Sequence, residues 1–243
     1  MSALPKEVMN LDNLRVIAFD ADDTLWDCQS HFEAVENHLY SLIAPYCDEP
    51  AHELFVTESG NMADLGYGCK AFTISIIETA LRVAGDHLSA AQLSELLSHS
   101  KSLLHLPATP LPEVEETLQR LQAWPFRLAV FTKGELQDQE NKLHRSGLAK
   151  YFSHVEITSN KTELEFQQLC EHLDILPHQL LMVGNSLKSD IAPALAIGAS
   201  AIHIPFHVTW QLERHTEDIQ HEQLVKISHF SEILNILNTS KPF

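Results

Sequence analysis

Five short apolar runs recur along the chain, and each ends in polar or turn-forming residues. They lie at 15–19, 127–131, 154–157, 180–183 and 199–204, and end at Asp20, Thr132, Thr158, Gly184-Asn185 and Pro205. Brief unbroken runs of this kind suit strands buried on both faces of a parallel sheet. Between them the period changes to that of helices, at 111–123, 135–146, 162–174 and 189–197. Pro112 suits a first helical turn, and Gly147 and Gly198 are natural stops. A last strand and helix are expected within 224–237. Strands alternating with helices predict an α/β fold with a parallel sheet.

The alternation breaks between Cys28 and Thr109, where the pattern is helical only. One helix is expected at 31–44, ending before Pro45. A second at 70–84 places Ile74, Ile77, Leu81 and Ala84 on one face, with Glu78 four residues before Arg82. Ser89 and Gln92 form a capping box that opens a third. Such a stretch far exceeds a crossover and predicts an inserted helical domain. The expected division is a core of 1–28 and 108–243 and a cap of 29–107, hinged near 26–30 and 108–112. Between cap helices, Gly66-Tyr67-Gly68 reads as a tight turn that can also bring an aromatic ring to a cleft.

Composition narrows the partners. The 243 residues suffice for one large domain or two modest ones. With 33 acidic and 16 basic side chains the net charge is −17, which argues against nucleic acid and anionic membranes as partners. A small anionic substrate is still admissible, because a site can reverse the sign locally. No apolar run approaches the ~18 residues of a membrane span, and 1–14 lacks the apolar stretch of a signal peptide. Cys28, Cys47, Cys69 and Cys170 show no CxxC spacing, so a reduced, cytoplasmic protein is expected. His203 and His207 are separated by Pro205 and share no helical face, so no histidine metal site is expected.

In open parallel sheets ligands bind beyond the carboxyl ends of the strands. Here those ends carry Asp20, Thr132 and Asn185, with Lys161 soon after a fourth. Asp20 and Asp22, two residues apart, suit a carboxylate nucleophile and a proton donor, the donor's pKa being raised by crowding. A turn or a helix cap is the plainer reading of the same acids. Asp190 adds a hard oxygen, and Asp20 with Asp190 would suit Mg²⁺. The Thr132 hydroxyl and the backbone N–H groups of Lys133 and Gly134 can hold phosphate oxygens, and Lys161 can neutralise charge. Lys133, Lys142 and Lys188 compete for that part, although surface solvation is the usual fate of such lysines.

The segments D-A-D-D-T-L-W-D from Asp20, F-T-K-G from Phe131, S-N-K from Ser159 and G-N-S-L-K-S-D from Gly184 closely resemble the four motifs of the haloacid dehalogenase superfamily. The order of the motifs and the helical insertion resemble its branch with a helical cap after the first strand, across about 15–204. The resemblance implies a Rossmann-like parallel sheet core with an inserted all-helical cap. It implies Asp20 as nucleophile, Asp22 as general acid/base and Mg²⁺ ligand through its carbonyl, Thr132 and Lys161 as phosphate partners, and Asp190 as a metal-binding acid. Many members carry an acid where Asn185 stands, so Asn185 as a direct ligand is in question. Asn185, Ser186 and Ser189 are expected around the metal.

A leaving halide needs no proton, whereas an alkoxide does. Asp22 and Asp190 therefore favour hydrolysis of a small phosphorylated metabolite over dehalogenation. A mutase or phosphonatase is the alternative, the latter needing an activated cap lysine such as Lys70. A non-catalytic binding protein would be expected to lack one of the three acids. The 207–210 segment is expected to pack at the surface or edge the cleft, and Trp26 to pack.

Overall fold

The computed structural model describes residues 9–214 and 218–239. The apolar runs become β1 (Val16–Phe19), β2 (Arg127–Lys133), β3 (His154–Thr158), β4 (Leu180–Gly184) and β5 (Ser200–His203), and the tail adds β6 (Leu224–Lys226). They form one sheet in the order β3-β2-β1-β4-β5-β6, every neighbouring pair parallel. β1, β4 and β5 are buried throughout, which is why their sequences are apolar without alternation. The strand order turns back between β1 and β4, where Phe19 stands beside Val183. That switch point is where an open α/β sheet leaves a crevice, and Asp20 and Asn185 follow it directly.

Five helices lie between β1 and β2, and the first four are α1 (Gln29–Ile43), α2 (Pro50–Leu65), α3 (Cys69–Ala84) and α4 (Ala90–Ser102). They enclose a core of their own that includes Leu39, Ile43, Leu54, Phe72, Ile76 and Leu96. The chain leaves and re-enters the sheet side by side, since the Leu111 N–H donates to the Leu25 carbonyl at 2.9 Å. Two layers of helix cover the sheet. α5 (Val114–Leu121), α6 (Leu136–Ser146) and α9 (Glu232–Thr239) pack with Ile17, Phe19, Val130 and Leu181 on one face. α7 (Glu163–His172) and α8 (Ala192–Ala196) pack with Val16, Ala129, Phe131 and Met182 on the other.

The structure departs from the sequence pattern in four places. α2 is not foreseen by it. On α3 the inward face is Phe72, Ile76 and Ala80, while Ile74 and Leu81 are each 49% exposed and edge a shallow outer groove with Leu97. Small polar residues replace the expected aliphatics inside: the Ser75 and Thr79 hydroxyls donate to the Ala71 and Ser75 carbonyls at 3.1 and 2.7 Å, which satisfies them without a partner helix. Arg82 reaches Glu53 on α2 at 2.6 Å rather than Glu78. α5 starts after Pro112, because Glu113 adopts φ 67° and ends any continuous helix there.

The fourth departure matters most for the site. The expected helix at 189–197 is a wide π-turn, Leu187–Ile191, followed by α8. The Asp190 and Ile191 N–H groups both donate to the Ser186 carbonyl, at 2.9 and 3.2 Å. The widened turn folds Asp190 back under Gly184, so closely that a Cβ on Gly184 would lie 2.3 Å from Asp190 Oδ2.

The reassigned face of α3 is directly testable. Ile76→Ala should lower unfolding stability by about 2–5 kcal/mol, whereas Ile74→Ala should cost less than about 1 kcal/mol. Denaturant unfolding of the two variants measures the contrast.

Candidate active site

Asp20 ends β1, and its N–H still donates to the Val183 carbonyl at 2.9 Å. The chain then makes a helical turn, with the Thr24 and Leu25 N–H groups directed at the Ala21 carbonyl. Asp23 takes φ 61°, and its Oδ1 accepts the Cys28 and Gln29 N–H groups at 2.8 and 2.9 Å. The plain reading of an acidic turn thus holds for Asp23, which caps the entry to α1. Asp20 and Asp22 face elsewhere.

Asp20, Lys161 and Asp190 meet beyond the strand ends. Lys161 Nζ lies 2.5 Å from Asp20 Oδ1 and 2.7 Å from Asp190 Oδ1, and all three side chains are buried. Thr24 Oγ1 donates to Asp20 Oδ2 at 3.2 Å, and the Ser186 N–H donates to Asp190 Oδ2 at 2.9 Å. Burial alone would lower the Lys161 pKa, but Asp190 and Asp20 outweigh it and hold the ammonium above its ordinary value. Asp20 is pushed up to about 7 by burial and by Asp190, against the pull of Lys161. Two carboxylates sharing one cation leave the cluster short of positive charge, which favours a further cation there.

Asp22 is set differently. Its carboxylate accepts Trp26 Nε1 at 2.7 Å, Gln139 Nε2 at 2.8 Å and Lys142 Nζ at 2.7 and 2.8 Å. Burial would raise it, but Lys142 and these hydrogen bonds hold it below the usual carboxylate range. The crowding expected to raise Asp22 acts on Asp20 instead. Lys142 is not a solvated surface lysine: it is 2% exposed, ion-paired to Asp22 and 3.5 Å from Asp138. Trp26 packs in the core and also orients Asp22.

The phosphate-side expectations divide. Thr132, 2% exposed, lines the cleft at the end of β2 beside Lys161. The Gly134 N–H is not free, because it donates to the Thr158 carbonyl at 3.0 Å and extends the β2–β3 ladder. Lys133 lines the cleft, yet its ammonium is ion-paired to Glu213, bonded to Ser189 Oγ at 2.7 Å and stacked 4.1 Å over the Tyr67 ring. Glu213 also accepts the Ser186 and Ser189 hydroxyls at 2.7 and 2.6 Å. Asn185 Oδ1 accepts Thr24 Oγ1 at 3.3 Å, and the Asn185 carbonyl accepts His203 Nε2 at 2.9 Å. Lys188 reaches away to the Leu212 carbonyl.

Sequence reasoning missed Gln139, Glu213 and Glu58, and it weighed Lys142 only as a rival to Lys161. Gln139 and Lys142 had a usable signal: with Asp138 they make a buried polar stripe on α6, the helix that follows a central strand. Tyr67 and Trp210 both reach the cleft, their rings 5.8 Å apart edge to face. The cleft occupies about 1100 Å³ counting its open mouth, between the sheet's switch point and α1, α2 and α3. Among the described residues no three acidic, His or Cys side chains converge as ready metal ligands. The oxygens at hand are the carboxylates of Asp20 and Asp190 and the amide of Asn185, a hard set that fits Mg²⁺ completed by water and phosphate.

Comparison with known proteins places the fold in a family. A family model for haloacid dehalogenase-like hydrolases matches residues 14–198. A glyceraldehyde 3-phosphate phosphatase from Methanothermobacter thermautotrophicus is 28% identical, covering 84% of this chain and 91% of its own. A phosphoglycolate phosphatase from Vibrio parahaemolyticus is 29% identical over 82% and 86%. The crystal structure of a haloacid dehalogenase-like family hydrolase from Xanthomonas campestris superimposes with a TM-score of 0.83 at 27% identity, covering 94% of this chain and 92% of that one. With three quarters of its length inside the family model, this chain belongs to the haloacid dehalogenase-like hydrolases, as a phosphatase-like member of that family.

Proposed function

We propose that this enzyme hydrolyses a small phosphomonoester by way of a phosphoaspartate on Asp20, with Mg²⁺ as cofactor. The observation that carries the reading is the Asp20–Lys161–Asp190 cluster at the sheet's switch point, with Asp22 two residues from the nucleophile. The two similar phosphatases act on small phosphate esters by name, which supports the same substrate class here. We assign the cap to 29–107 and the core to 1–28 and 108–243, the cap limiting access to small metabolites rather than nucleic acid. Among the described residues no helix is long and apolar enough to cross a membrane, and the four cysteines are free, which supports a cytoplasmic enzyme.

In this mechanism Asp20 Oδ attacks phosphorus in line, and the bond from phosphorus to the leaving oxygen breaks as the new one forms. Asp22 gives that oxygen its proton. Water then attacks the phosphoaspartate and returns a proton to Asp22, freeing Asp20 and inorganic phosphate. Lys161 offsets charge on the nucleophile and the phosphoryl oxygens, and the Thr132 hydroxyl holds one of those oxygens. Asp20, Asp190 and the Asp22 carbonyl would hold Mg²⁺, which when bound supplies the positive charge that draws phosphate against carboxylate. Lys142 positions Asp22 and weakens its hold on the proton, which makes it a stronger acid toward the leaving oxygen, and the ionised form then accepts the proton of water.

The alternatives fare less well. Lys70, the cap lysine a phosphonatase would need, pairs with Glu135 and is 54% exposed. Asp22 and Asp190 have no part in expelling a halide.

Hydrolysis of p-nitrophenyl phosphate tests the reading. Turnover should depend on Mg²⁺ and vanish on chelation, and Asp20→Asn should lose at least ~10³-fold in kcat. Turnover that survives chelation or Asp20→Asn would refute it. Asp22→Asn should slow alkyl phosphates more than activated aryl phosphates, by about 10²–10⁴-fold. Equal losses for both would remove Asp22 from the acid role.

A further inference from the structure

The far end of the cleft differs in character from the phosphate end. All three lysines that line the cleft, Lys133, Lys142 and Lys161, come from the core, and each is already matched by carboxylates. The cap contributes no cation to the lining. Its one charged group there is Glu58, buried on α2 and on the cleft wall. Glu58 Oε2 accepts Trp210 Nε1 at 3.2 Å, and among the described residues no lysine or arginine pairs with it. The nearby cap arginine, Arg82, is turned to Glu53 and Thr57.

Three donors near Glu58, those of Asn61, Ser75 and Trp210, are engaged within the protein. Asn61 Nδ2 donates to Ser75 Oγ at 3.1 Å and to Glu78 at 2.8 Å, and Ser75 Oγ donates to the Ala71 carbonyl. Trp210 Nε1 is taken by Glu58 itself. With those donors taken, the Glu58 carboxylate and the Asn61 amide oxygen are left as acceptors for a ligand. Burial pushes Glu58 up to about 7, so a proton or a donating ligand group relieves it. Phe32, Met62 and Phe72 also line the cleft, the two aromatic rings 4.8 Å apart.

Resting on the phosphatase reading above, we infer that Glu58 selects a phosphomonoester whose alcohol portion carries an amino or hydroxyl donor and no acidic group. A carboxylate or second phosphate on that portion would face Glu58 with no unpaired lysine or arginine among the described lining residues to receive it. Like-charge contact of that kind opposes binding, most strongly where water is excluded. An ammonium or hydroxyl finds an unmatched acceptor instead, and the aromatic walls take its carbon skeleton. The similarity to a phosphoglycolate phosphatase therefore does not extend to the acidic substrate in that name.

Steady-state kinetics on phosphoethanolamine, glycerol 3-phosphate and phosphoglycolate tests this, with p-nitrophenyl phosphate as reference. The wild-type enzyme should show kcat/KM for the amino and hydroxyl esters at least ~10-fold above that for phosphoglycolate, a difference of about 1.4 kcal/mol. Glu58→Gln should remove most of that ratio, mainly through KM. Phosphoglycolate as the equal or better substrate of the wild type, or an unchanged ratio in Glu58→Gln, would overturn the role of Glu58. The wild-type comparison stands even if the variant fails to fold. Failure to hydrolyse p-nitrophenyl phosphate at all would instead refute the underlying phosphatase reading.

Discussion

One buried ammonium holds the site together. Lys161 reaches from the turn after β3 to bridge the acid that ends β1 and the acid in the turn after β4. Without it, Asp20 and Asp190 would be two buried carboxylates with no countercharge, and the penalty for that is several kcal/mol per ion. The bridge therefore constrains more than chemistry. It requires the ends of β1, β3 and β4 to converge, which the strand order supplies, and it requires Asp190 to fold back under Gly184, which the π-turn supplies.

The same rule is applied twice more around the cleft. Lys142 matches Asp22, and Lys133 matches Glu213, each pair buried or nearly so and braced by neutral donors such as Gln139, Ser186 and Ser189. A chain of net charge −17 thus concentrates its scarce cations at the core side of one cleft. The three lysines only balance the acids around them, so the positive charge that a phosphate substrate needs would come from the Mg²⁺ proposed for the Asp20–Asp190 pair. On the helical side of the cleft, Glu58 lines the wall with no lysine or arginine partner among the described residues.

How much of this could be read beforehand depended on where a residue's partners lie. The parallel sheet was legible because strands buried on both faces have unbroken apolar runs, as at Val16–Phe19 and Leu180–Gly184. Asp20 and Asp22 were legible because they follow the first run directly, and Lys161 and Asp190, further past the ends of β3 and β4, through the motif resemblance. α2 was not, because its buried face is Leu54, Thr57 and Glu58, a helical spacing filled with polar residues by its position on the cleft. Ile74 and Leu81 misled for the converse reason, forming an apolar face that the fold leaves outside. Lys142 and Glu213 acquire their meaning from Asp22 and Lys133, 120 and 80 positions away, a distance no local pattern spans. The Gly134 N–H was engaged by a β3 carbonyl whose register the sequence does not encode.

Covalent capture of the phosphorylated enzyme tests the central claim most directly. Enzyme quenched in acid during turnover of a phosphate ester with Mg²⁺, then digested and analysed by mass spectrometry, should carry an acid-stable, base-labile phosphoryl group on the peptide containing Asp20. A phosphoryl group on any other residue, or none during sustained turnover under conditions that trap acyl phosphates, would contradict the account.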